Sequence, residues 1–352
     1  MLALFTWVPL LVLSALQGML LSGPDIPFLK DIAAHSRFLL AVPVLVLADM
    51  PIGYRLREMV LQFRNSGLVR AEERQRFDEI VDDATTMRDS RLGEIAIVIL
   101  AYTTTYLNFA GFGFQRWSSW IRPEMDGHFS IAGYWFLLVA TPIFQFLLLR
   151  WFYRMLVWGR FLRKVSGLSL RLSAAHPDAA GGLGFLGKSL IPFGVITFAL
   201  SAVISGAIAS RVLYAGAQLQ TFGPIFAALL IFSLIVFVGP ILVFTPKLFR
   251  LKYEGTLKYG VLADRYTRLF EAKWVELGAR KEVDGSVLGS SDIQSLADLG
   301  NSFELVRKMR VVPIEPSDFI ALTVPAIIPA IPLLTTVMPL SEILKELLRM
   351  VG

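Results

Sequence analysis

Residues 170–189 read L-R-L-S-A-A-H-P-D-A-A-G-G-L-G-F-L-G-K-S, from Leu170 to Ser189. This stretch sits at the midpoint of the chain, with a long apolar block on either side. Gly182 to Ser189 satisfies G-x-x-x-x-G-K-[ST], and Gly182, Gly184 and Gly187 satisfy G-x-G-x-x-G. Both patterns carry meaning only between a buried strand and a helix of an α/β sheet. Here the upstream neighbour is an apolar helix ending in Arg160, Arg163 and Lys164, and Leu190 opens another apolar run. No later strand bears an acidic partner, so an ATP-hydrolysing loop is not expected. His176-Pro177-Asp178 matches the tripeptide of J-domain cochaperones but lacks the soluble helical hairpin around it. Two readings stay open. The stretch is a turn, with Pro177 fixing φ and Asp178 capping the segment after it. Alternatively, Gly181, Gly182, Gly184 and Lys188 form a nest for an anion or a lipid phosphate.

The flanking blocks set the fold class. Of 352 residues, 55% are hydrophobic and only 18% charged, far from a soluble composition. This composition implies an all-α, polytopic membrane protein. The net charge of +6 lies mostly between apolar runs, which calls for no nucleic-acid partner. Absence of cysteine excludes disulfides, thiolate nucleophiles and zinc–thiolate sites. No nucleophile–base set or metal-ligand spacing is visible, so neither an enzyme nor a cofactor is expected. The acids Asp25, Asp31, Glu124 and Asp126, with His35 and His128, are a weak alternative as a metal site.

About seven transmembrane helices are expected. Leu2–Leu21 and Phe38–Tyr54 form a first hairpin (1–54), joined by a short polar link at Ser22–Arg37. A hydrophilic link (55–91) contains an exposed amphipathic helix. Leu92–Phe112 and Ile131–Tyr153 form a second hairpin (92–164). The Gly-rich loop (165–189) precedes a third hairpin, Leu190–Leu213 and Phe222–Phe244 (190–245), bent at Gly239-Pro240. A helical hairpin (246–318) comes next, its second helix opened by a capping box at Ser291–Gln294. A proline-rich segment and an amphipathic tail (319–352) either cross or re-enter. The basic residues cluster in alternate links, which puts those links and the N-terminus in the cytoplasm.

Three sets of residues stand out as functional candidates. Besides the glycine nest, Asp49, Glu94, Arg150 and Arg211 are charges within apolar runs, where charge is costly and usually paired. Asp49 or Glu94 with Arg150 makes a structural pair or part of an ion path. Arg211 snorkels outward or lines a vestibule for anions. Tyr266, Phe270 and Trp274 form an aromatic stripe that fits contact with another copy.

At His176–Gly187 and at Ser290–Arg310 (S-S-D-I-Q-S-L-A-D-L-G-N-S-F-E-L-V-R-K-M-R) the chain resembles a widespread group of uncharacterised bacterial integral membrane proteins. The resemblance implies a bacterial inner-membrane setting and no particular activity. An oligomeric channel or transporter for ions or small solutes is the leading expectation. A non-transporting sensor or scaffold, docking a cytoplasmic protein through its helices, is the alternative.

Overall fold

The computed structural model describes residues 1–22, 26–108, 118–123, 128–276 and 291–335. Among them the regular elements are all helical, and the one strand-like contact is an antiparallel bridge between Val69 and Leu170. In chain order the helices are α1 (Leu2–Leu16), α2 (Ile32–Asn65), α3 (Arg74–Arg88), α4 (Arg91–Leu107) and α5 (Ile131–Ser166). They continue with α6 (Gly184–Ala215), α7 (Leu219–Val275), α8 (Ser291–Lys308) and α9 (Pro316–Leu334). Helices α2, α5, α6, α7 and α9 are long and apolar enough to cross a membrane.

The expected first span is shorter than Leu2–Leu21. Helix α1 has 15 residues, about 22 Å at 1.5 Å per residue, against a hydrocarbon core of about 30 Å. It ends because the chain turns back on itself: the carbonyls of Met19 and Leu20 accept the N–H groups of Phe28 and Leu29. Helix α4 starts one residue before the expected third span and has 17 described residues; 109–117 lie outside the described set. The expected polar link up to Arg37 is also corrected. Asp31 caps α2 by accepting the Ala34 N–H, and the helix runs straight through Arg37.

Prolines inside three long helices are accommodated in one way. A proline donates no N–H and its ring presses on the carbonyl four residues back. Pro43, Pro142 and Pro240 each come two residues after a π-turn: Ser36–Ala41, Phe136–Ala140 and Leu234–Val238. The wider turn relieves the clash without ending the helix. At the expected bend, Gly239–Phe244 then tightens into a 3-10 turn before α7 continues.

The bundle has two ends. At one, α2, α3 and α5 carry Asp83 bound to Lys164 and Arg160, and the Tyr153 hydroxyl donates to the Met87 carbonyl. Phe63 packs there against Phe77, Phe161, Phe185 and Phe244. This is the basic end. At the far end Asp31 is buried, accepting from the Ser118 hydroxyl (2.7 Å) and the Trp120 indole (2.9 Å). Helix α9 lies along α6 for most of its length. Gly194 touches Ala321 and Pro325, Ser201 donates to the Ala326 carbonyl, and Leu333 clusters with Ile208 and Phe222.

Candidate functional site

The Gly-rich loop folds around its own aspartate. Ala179, Gly181 and Gly182 have φ of +50°, +68° and +97°, so successive N–H groups converge on one point. Asp178 occupies that point. Its carboxylate accepts from Ala180 (2.8 Å), Gly182 (3.1 Å) and Gly184 (2.8 Å), and His176 Nδ1 lies 2.7 Å away. Burial pushes the Asp178 carboxyl up, yet the three backbone donors and His176 outweigh it and hold it below the ordinary carboxylate range. The expected nest for an external anion is therefore corrected: the anion it holds is internal. Pro177 and Asp178 do the turn and capping work expected of them.

Lys188 is likewise engaged. It binds Glu315 (3.0 Å) and Asp318 (2.9 Å), the latter buried at the start of α9. Glu315 and Asp318 cap α9 reciprocally, each receiving the other's backbone N–H. The Lys188 hydrogen bond and charge, with Arg310 adding, hold the Glu315 carboxyl below its usual range. Gly187 leaves room for Asp318; a Cβ there would overlap its carboxylate. The phosphate-loop match is thus largely the 3-10 turn Gly184–Ser189 that opens α6 and ties it to α9.

Arg310 joins the two motifs that are distant in sequence. Its N–H donates to the Ala179 carbonyl (2.6 Å) and its guanidinium to the Asp178 carbonyl (2.8 Å) and to Glu315 (3.3 Å). Met309 beside it is fully buried, and a side chain on Gly181 would run into it, Leu248 and Leu251. His176–Gly187 and the end of Ser290–Arg310 thus form one polar junction at the basic end. Sequence reasoning singled out neither Arg310 nor Glu315. Their position just after a helix and just before Pro316 was the available signal.

The charges within apolar runs divide. Asp49 meets Arg150 at 3.7 Å and binds Arg154 more closely, and Arg154 also lies over the Trp151 ring. Glu94 instead sits exposed in the first turn of α4, where a negative charge favours the helix N-terminus. Arg211 is exposed at the far end of α6. Neither Glu94 nor Arg211 has an ion pair among the described residues.

The aromatic stripe of α7 faces inward. Tyr266 Oη donates to the Asp292 carbonyl, and Trp274 Nε1 and Lys273 Nζ donate to the Asp292 carboxylate. Tyr266, Phe270 and Trp274 are half-buried, on the side that packs on α8. Within one chain this stripe is thus partly covered by α8, and other apolar residues of α7 are more exposed. Leu257, Val261, Leu262 and Leu269 are 50–72% exposed. Asp292, inside the expected capping box at the start of α8, clamps α7 in this way.

Asp31 and His35 of the weak metal alternative are committed to the protein. Asp31 is held by Ala34, Ser118 and Trp120. His35 Nδ1 accepts from Trp7 Nε1 (3.0 Å) and Nε2 faces the Leu29 carbonyl (3.2 Å). Asp25, Glu124 and Asp126 lie outside the described residues. Comparison of the chain with protein-family profiles, curated proteins and solved structures finds no match.

Proposed function

We propose that the protein assembles in several copies in the bacterial inner membrane and passes ions or small solutes across it. The supporting observation is the set of uncovered apolar side chains on α7. Residues 219–246 carry no charge, whereas charged residues recur from Lys247 onward. Leu257, Val261, Leu262 and Leu269, interspersed with the exposed Lys258 and Arg268, therefore belong outside the hydrocarbon, where uncovered apolar side chains favour a partner over water. A neighbouring copy is the partner proposed.

The double change Leu257→Asp, Val261→Asp is expected to lower the particle mass in detergent by at least half, measured by light scattering. Phe270→Asp, Trp274→Asp is expected to loosen α8 from α7, seen as faster proteolysis near residue 290. An unchanged mass in the first variant, or a monomeric wild type, defeats the assembly reading. Assembled protein that gives no current or flux in liposomes defeats conduction alone. The second reading, a sensor or scaffold, then stands. It is favoured by the α7–α8 hairpin, a firm platform tied to the bundle through Arg310.

Seven crossings arise if α1 and α4 join the five long helices and α9 crosses instead of re-entering. The basic residues of 55–91, 160–189 and 246–318 put those segments in the cytoplasm, and the alternation of crossings puts the N-terminus with them. A single cysteine at Ser173 is expected to resist an impermeant thiol reagent in intact cells and to react after lysis. Labelling before lysis would invert this topology. Membership of the uncharacterised bacterial group rests on the two motifs, and no catalytic role or cofactor is proposed.

A further inference from the structure

We infer that Arg37 is the centre of a binding site for a small anion or a lipid phosphate, set between α2 and α5. Arg37 lies on the π-turn Ser36–Ala41 of α2, within a helix long and apolar enough to span. Its guanidinium carbon stands 6.0 Å from the Phe38 ring centre, 5.8 Å from Phe136 and 5.7 Å from Phe144. Phe136 belongs to the π-turn of α5, so two widened turns face each other across this cation, with the Phe38 and Phe136 rings edge to face. Such turns recur where a helix makes room for a functional group.

Three rings stabilise the charge but leave the donors unmatched. A guanidinium has five N–H donors. Arg37 makes no hydrogen bond and no ion pair to any described residue, and its Nε is fully buried without a partner. Asp31, the carboxylate one helical turn and a half away, has both oxygens engaged, by Ala34, Ser118 and Trp120. A second orphan donor lies on the same stretch of α5: Thr141 comes between Phe136 and Phe144 in sequence, its hydroxyl buried and unpartnered. A cation in an apolar layer with unmet donors on both helices is matched by an anion that supplies charge and acceptors together. Arg37 as a whole residue is partly exposed. The inference does not depend on whether copies assemble or conduct.

The test uses full-length protein, delipidated in a neutral detergent. Thermal unfolding is followed while sodium chloride or sodium phosphate replaces sodium gluconate at constant ionic strength. Native mass spectrometry before delipidation reads any retained anionic phospholipid. A saturable rise in midpoint identifies a free anion, and a retained phospholipid identifies a headgroup. Either effect should weaken by about tenfold or more in Arg37→Gln, and by several-fold in Thr141→Val, as hydrogen bonds to charged groups imply. A flat wild-type response with no retained lipid overturns the site. So does a wild-type response in both variants. If Arg37→Gln fails to fold, Thr141→Val, which removes one hydroxyl only, decides.

Discussion

Asp178→Ala is expected to destabilise the protein by about 3 kcal/mol, since each backbone donor left without its acceptor costs about 1–3 kcal/mol and water recovers part of the loss. The Asp178 carboxylate holds the N–H groups of Ala180, Gly182 and Gly184. With it removed, the backbone that holds Ala179 at φ +50° and the following glycines in the left-handed region loses the acceptor on which its N–H groups converge. Arg310 then loses the ordered carbonyls of Asp178 and Ala179 that it binds. The measurement is the unfolding midpoint in detergent, with Asp178→Asn as the milder comparison because its amide oxygen still accepts. Unfolding of Asp178→Ala at the wild-type midpoint would reject this role. Acid should reproduce the loss. The folded carboxyl titrates below its unfolded value of about 3.9, so the contribution is complete above that pH and disappears as pH falls through the depressed folded value. The wild type should therefore lose more stability than Asp178→Ala below about pH 4.

Gly194→Leu should cost about 3 kcal/mol, at the upper end of overpacking penalties. A Cβ at Gly194 would overlap the carbonyl oxygen of Ala321 and lie 2.9 Å from Pro325 Cγ. A carbonyl in a facing helix cannot rotate away, so α6 and α9 must part. Parting them strains Ser201–Ala326 on one side and Lys188–Asp318 on the other. The expected readout is a lower unfolding midpoint together with faster proteolysis of α9. Gly53, whose added Cβ meets nothing within 4 Å, is the control position and should tolerate alanine. Equal behaviour of the two positions would show that close approach at Gly194 carries no weight.

Hydropathy made the helical class legible, because each long apolar run must satisfy its own backbone groups. The pairing of Asp49 with Arg150 was legible for a similar reason: an apolar layer offers charges few other partners. The change of helix type near Gly239-Pro240 was legible from local chemistry. Arg37 misled the reading of α2, since a charge at the start of an apolar run looks like the end of a link. Two of its three ring neighbours come from α5, about a hundred residues on. Trp120 is fully buried between Phe28 and Phe136, a contact between distant segments that no local pattern announces. The Gly-rich loop was legible as a nest, but whether such a nest takes a ligand or its own side chain depends on about three ångströms of placement, one hydrogen-bond length. For α7, helical periodicity marked an aromatic stripe without telling how much of it α8 would cover.

The length of α7 gives the molecule leverage. From Gly239, where the 3-10 turn begins, to Val275 is a rod of about 54 Å at 1.5 Å per residue. A bend of about 10° at its base moves the tip by about 9 Å. Helix α8 carries that displacement back from the tip to Arg310, which grips the loop between α5 and α6. A load on the distal hairpin thus reaches Asp178 and Lys188 as a pull on α9, and a shift of α9 swings the hairpin through a much wider arc.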